Sequence, residues 1–180
     1  MAESGPAVAI DELRRGMAAP QLRVAAILYW YALSGALARL ALVDGLDAER
    51  ASVTVGPGGW PVVDGAPPSP EPLGALGRSY RTSIGRIAAA SGAAERALWA
   101  IGTDSIASAA LATPDPHRRA HAALAACGTP APPARFETVP GRGTVVRRGS
   151  CCLIYLCPGS AKCLSCPRQT PQERLRRLSS

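Results

Sequence analysis

The stretch Leu73-Gly74-Ala75-Leu76-Gly77-Arg78-Ser79-Tyr80-Arg81-Thr82-Ser83-Ile84-Gly85-Arg86-Ile87-Ala88-Ala89-Ala90 decides how this chain folds. Leu76, Tyr80, Ile84 and Ile87 recur at spacings of four, four and three, which places them on one face of an α-helix. Ser91-Gly92 breaks that helix. A second is expected over Ala93–Ala112, where Leu98, Ile101, Ile106 and Leu111 follow a looser helical spacing. The many alanines let such helices approach closely. Outward from this pair, residues 20–43 read as a long helix, with Pro20 in its first turn and Asp44-Gly45 at its exit. Val24–Ala38 is uncharged but closed by Arg23 and Arg39, and its fifteen residues fall short of the roughly 20 that a membrane span needs. A buried core helix is expected there, with membrane contact at most peripheral. Pro116–Cys127 reads as a further helix ending at Gly128.

Ala51–Val55 and Trp60–Val63 read as two short strands around Gly56-Pro57-Gly58-Gly59. Ala66–Pro72 is a proline-rich loop and Thr129–Pro133 a proline-rich linker. Phe136–Val139 and Thr144–Val146 have the look of two more short strands around Pro140-Gly141. Thr170-Pro171-Gln172-Glu173 is a capping box with Pro at the first helical position, so a last helix is expected over Thr170–Leu178.

A chain of 180 residues suits one domain, large enough to build a core without disulfides. It is 47% hydrophobic and 4% aromatic, with Gly and Pro too few for a low-complexity or collagen-like chain. The net charge is +7, yet Lys162 is the only lysine and the arginines are scattered. Exclusive use of Arg beside abundant Ala and Pro fits a GC-rich coding bias, and no nucleic-acid partner is expected. The first residues have neither the basic nor the apolar region of a signal peptide. A reducing, cytoplasmic location follows as an expectation, and there clustered thiols more often hold metal than form disulfides.

Five of the six cysteines fall within sixteen residues: Cys151, Cys152, Cys157, Cys163 and Cys166. Written as spacing they are Cys-Cys, ten residues, then Cys-x-x-Cys, with Cys157 as an extra. A Cys-x-x-Cys turn can aim two sulfurs at one centre. Two adjacent cysteines suit a single tetrahedral ion poorly, because neighbouring side chains on a strand point apart. A cluster of two irons takes a bent Cys-Cys pair more easily, and four thiolates are its usual ligand set. A structural Zn(Cys)4 knuckle is the alternative, although zinc sites usually show two Cys-x2–4-Cys pairs and this chain has one.

The segment Arg147–Pro167 resembles the C-terminal signature of the FhuF-like ferric-siderophore reductases. The likeness lies in the Arg ahead of Ser150-Cys151-Cys152, in Leu153-Ile154-Tyr155, in the cysteine spacing and in Pro167 after the last cysteine. A weaker match is the Leu98-Trp99 pair on a helix. The resemblance implies a cytoplasmic protein with one [2Fe–2S] cluster, held by Cys151, Cys152, Cys163 and Cys166. It also implies one-electron reduction of a ferric siderophore, of hydroxamate type in our expectation, by an unidentified cellular electron donor, with release of Fe(II). Two departures stand out. Leu156 sits where the family usually has Arg, and Cys157 where it has an apolar residue.

Other residues read more plainly. Cys127 is expected to be a buried free cysteine. Cys157 is expected to be an unpaired cysteine beside the cluster. His117 and His121 lie four apart without a third ligand, which suits a solvated helix face. Trp30, Trp60 and Trp99 suit a core, and Tyr155 is kept near the cluster by sequence alone. Arg147 and Arg148 have two readings: solvated strand residues, or cations that stabilise the reduced cluster.

The expected fold is α+β, mainly helical: a single domain with a small β-hairpin and a C-terminal iron–sulfur-binding segment. Residues 1–135 would form the helical body and 136–180 the cluster segment, clamped by the last helix. The rival functions are a non-enzymatic electron-transfer or iron-sensing protein, and the zinc knuckle.

Overall fold

A computed structural model describes residues 5–128 and 131–179, of which 175, 178 and 179 as backbone only. The chain is 54% helical. In order it runs α1 (Pro6–Gly16), α2 (Leu22–Leu42), β1 (Ser52–Val55), β2 (Pro61–Gly65), α3 (Pro72–Ser91), α4 (Glu95–Ala110), α5 (Pro116–Cys127), β3 (Phe136–Val139), β4 (Gly143–Val146) and α6 (Pro171–Ser179). Among the described residues the strands form two separate antiparallel hairpins, β1–β2 and β3–β4. The mainly helical α+β reading holds, and both strand pairs read from the sequence form, one at the small hairpin and one ahead of the cysteine segment.

Helix α2 lies at the centre. It is apolar on all sides and buries residues from Val24 to Leu42 against α1, α3 and α4. By length and composition it could cross a membrane, but 67% of its apolar window is buried inside the fold. It is the core helix. Its first helical residue is Leu22, so Pro20 stands just ahead of the helix instead of in its first turn.

Three polar contacts fasten α2 to its neighbours. The Trp30 indole donates to the Leu98 carbonyl at 2.7 Å, and the Tyr80 hydroxyl donates to the Ser34 carbonyl at 2.7 Å. The hydroxyls of Ser34 and Ser105 lie 2.8 Å apart. The face Leu76, Tyr80, Ile84, Ile87 is fully buried on α3. Gly92 ends that helix in the left-handed region (φ 68°), a conformation glycine adopts without a Cβ penalty. Helix α5 comes so close to α3 that a Cβ at Gly77 would stand 2.5 Å from the Ala126 carbonyl oxygen. Leu111 lies beyond the end of α4 and is exposed, unlike the other three apolar positions expected on that helix.

Helix α1 was not anticipated from sequence. Asp11, Glu12, Arg14 and Arg15 mask a short inner stripe of Ala9, Ile10 and Leu13, all buried. The stripe packs on the glycine turn between β1 and β2, where Gly59 leaves room for the Ala9 carbonyl and the Leu13 amide. Residues 129 and 130 of the proline-rich linker lie outside the described residues.

Candidate metal centre

After β4 the chain has almost no regular structure until α6, apart from one 3-10 turn at Ile154–Leu156. Leu153 opens that turn in the left-handed region (φ 59°), a conformation that costs a non-glycine residue on the order of 1 kcal/mol. The bend has a use. It brings the Leu153 amide onto the Cys151 sulfur and the Ile154 amide onto the Cys152 sulfur. Two neighbouring cysteines thus face inward although they are adjacent in the chain.

The four sulfurs meet in two pairs. Cys151 Sγ lies 4.0 Å from Cys166 Sγ, and Cys152 Sγ lies 3.8 Å from Cys163 Sγ. No disulfide joins them. A tetrahedral metal–thiolate centre with bonds of about 2.3 Å separates two of its sulfurs by about 3.8 Å. Each pair therefore suits one metal atom. The donor set fits a group with two metal atoms.

One carboxylate holds this segment to the body. Asp104 on α4 accepts the Gly149 amide at 3.0 Å on Oδ1, and the Ser150 amide at 2.9 Å on Oδ2. The Ser150 hydroxyl donates to Oδ2 as well. Arg148 Nε stands 3.5 Å from the same oxygen, a buried ion pair. Sequence reading did not single out Asp104. The signal was there, since Asp104 is the only ionisable residue between Arg96 and Asp115.

Arg147 and Arg148 part company. Arg147 is exposed, whereas Arg148 is only 6% exposed. Arg148 lies over the Tyr31 ring, 4.7 Å from its centre, and its Nη1 donates to Cys163 Sγ at 3.6 Å. Its Nη2 is buried without a partner, while Nε has only the ion pair with Asp104. A buried donor left over in this way suits a neighbour rich in sulfur acceptors, a second point of fit with an iron–sulfur group. Burial works against the charge of Arg148, but Tyr31, Asp104, Cys163 and Cys152 outweigh it and keep the guanidinium firmly protonated.

The thiols respond to these neighbours. The hydrogen bond with Cys163 lowers Cys152 to about 5, against its desolvation, with help from the Ile154 amide and Arg148. Cys163 is raised by its hydrogen bond with Cys152 and by partial desolvation. Burial raises Cys151, with the Leu153 amide opposing. Cys157 is buried beside the site, outside both short sulfur contacts, and raised chiefly by desolvation.

The C-terminal side closes over the segment. The Gln169 amide donates to the Cys163 carbonyl at 2.7 Å and to the Leu164 carbonyl at 3.2 Å. Arg174 pairs with Glu137 on β3 at 2.9 Å, and Arg177 donates to the Lys162 carbonyl at 3.2 Å. Helix α6 is capped as its sequence promised, the Glu173 amide donating to Thr170 Oγ1 at 3.1 Å.

The remaining candidates fall elsewhere. Cys127 is buried at the end of α5, and burial raises its thiol to about 11. His117 and His121 are exposed, His117 resting on Phe136. Trp30 and Trp99 are core residues and Trp60 packs at its edge. Tyr155 is half-buried in the cysteine segment, with the Arg168 guanidinium 5.6 Å from its ring centre.

Residues 148–168 match the FhuF 2Fe-2S C-terminal domain, 21 of the 180 residues. The segment is of FhuF type and its cofactor is a [2Fe–2S] cluster. No curated protein and no solved structure matches the chain.

Proposed function

We propose that this chain is a cytoplasmic ferric-siderophore reductase, with Cys151, Cys152, Cys163 and Cys166 as the cluster ligands. The observation that carries the reading is the FhuF-type segment, whose paired thiols are backed by a buried, firmly charged Arg148. When bound, the [2Fe–2S] group supplies one-electron transfer. The chain's own part is to set potential and distance rather than to provide an acid or base. Arg148 favours the more negative, reduced state, and the N–H groups of Leu153 and Ile154 act in the same direction. The Fe(III) of the chelate gains the electron that an unidentified cellular donor loses. The resulting Fe(II) is a poorer partner for hard oxygen ligands and leaves.

The acceptor site in this reading is a groove of about 360 Å³ between α2 and α4, lined by Tyr31, Gly35, Arg39, Ser108 and Arg148 among others. Arg148 is thus common to the groove wall and to the sulfur site. A Cβ at Gly35 would meet nothing within 4 Å, so a larger residue there fills the groove without disturbing the helix.

The test is anaerobic mixing of the reduced protein with ferric hydroxamate chelates and a ferrous trap. Reoxidation with trapped Fe(II) is expected, and Gly35→Leu should slow it at least tenfold while the cluster spectrum stays unchanged. Failure of every ferric chelate to reoxidise the wild type would leave an electron-transfer or iron-sensing protein. Unchanged reoxidation of Gly35→Leu would remove the groove from the reading.

A further inference from the structure

We propose that the two metal atoms are held by two unlike pairs of cysteines, Cys151 with Cys166 and Cys152 with Cys163, and that Arg148 tunes the second pair alone. The proposal rests on the ligand set given above and deepens it. Spacing alone leaves the grouping open, and a Cys163-x-x-Cys166 turn can aim both its sulfurs at one centre. In the fold each neighbouring pair is split. Cys151 and Cys152 face different partners, and so do Cys163 and Cys166, like two rungs of a ladder folded at the 3-10 turn. The separations of 4.0 and 3.8 Å each bracket one tetrahedral centre.

The rungs differ in their surroundings. Each has one backbone amide on a sulfur, from Leu153 on the first rung and from Ile154 on the second. The second rung has a hydrogen-bonded guanidinium, Arg148 Nη1 on Cys163 Sγ. A further donor of that side chain, Nη2, is buried and unpartnered. Asp104 and the Tyr31 ring fix the guanidinium from the other side. A fixed positive charge against one rung makes its metal atom the easier of the two to reduce.

Mössbauer spectra of oxidised, 57Fe-loaded protein test the grouping, because an iron with serine oxygen ligands differs from one with sulfur only. Cys151→Ser/Cys166→Ser and Cys152→Ser/Cys163→Ser should each alter one iron site and leave the other as in wild type. Cys151→Ser/Cys152→Ser should alter both. Two altered sites in Cys151→Ser/Cys166→Ser would overturn the pairing. A single serine variant with a wild-type spectrum would instead remove that cysteine from the ligand set, a separate failure.

Should the double variants fail to load iron, the reduced protein labelled with 13Cβ-cysteine gives a second test. Arg148→Lys should shift one pair of the four cluster-cysteine signals and spare the other. Equal shifts of all four would overturn the asymmetry. In Arg148→Gln the ratio of reduced to oxidised protein at a fixed poise should fall about tenfold, or 59 mV for one electron, with partial recovery in Arg148→Lys. An unchanged ratio would remove Arg148 as the tuning residue.

Discussion

The helical body and the cysteine segment are built on opposite principles. In the body, α2 is wrapped by α1, α3 and α4, and apolar burial spread over some thirty side chains decides the structure. The segment after β4 has little regular backbone and few large buried residues, and it depends on a handful of polar contacts centred on Asp104. Distributed apolar packing rests little on any one hydrogen bond, whereas a polar cluster in a dry site loses several contacts when one member is removed.

The largest effect expected from that contrast is at Asp104. Asp104→Ala strands Arg148 as a buried charge and frees two amides, a change worth about 3–5 kcal/mol when a buried pair loses one partner. The variant should purify with far less iron per chain, while its circular dichroism keeps the helical signal of the body. Asp104→Asn, which retains an acceptor oxygen, should lose less. Iron content at the wild-type level in Asp104→Ala would mean that the segment is not held by this carboxylate, and the contrast would collapse.

The same contrast explains what was legible in the sequence. Helices α3, α4 and α5 were readable because periodicity, caps and breakers are local, and they enclose residues that the fold buries as expected. Helix α1 was not, because its inner face is only Ala9, Ile10 and Leu13, and its partner is a glycine turn more than forty residues away. The cysteines declared themselves by spacing. Their grouping did not, because it depends on the bend at Leu153, which no local rule places on a leucine. Arg147 and Arg148 are neighbours of the same type, and only the fold separates a surface cation from one sealed against Tyr31 and Asp104.

A middle-sized effect probes burial inside the body. Cys127 has its thiol raised to about 11 by desolvation, from an ordinary value of 9. The unfolded chain therefore ionises first. The contribution of Cys127 to stability is complete below pH 9 and is lost as pH rises from 9 through about 11, with a slope near 1.4 kcal/mol per pH unit at most. Cys127→Ala lacks that dependence. Urea midpoints of wild type and variant should accordingly converge between pH 8 and pH 10.5, by about 2 kcal/mol, without any change in iron content. A constant difference across that range would show the thiol to be better solvated than its 1% exposure implies.

The smallest effect is expected where the body uses a polar contact of its own. Tyr80 is fully buried, packs edge-on against Trp30 with ring centres 4.9 Å apart, and donates its hydroxyl to the Ser34 carbonyl. Tyr80→Phe keeps the ring, the edge contact and nearly all the buried area, and removes one hydrogen bond. The Ser34 carbonyl lies inside α2, where the helical backbone offers it another donor, so the loss should be about 1 kcal/mol. The urea midpoint should fall by that amount with an unchanged slope, and iron should load normally. The comparison with Asp104→Ala is then direct, since each variant removes the polar group of one buried side chain. A loss in Tyr80→Phe as large as in Asp104→Ala would mean that the body also hangs on single contacts, and the distinction between the two regions would be wrong.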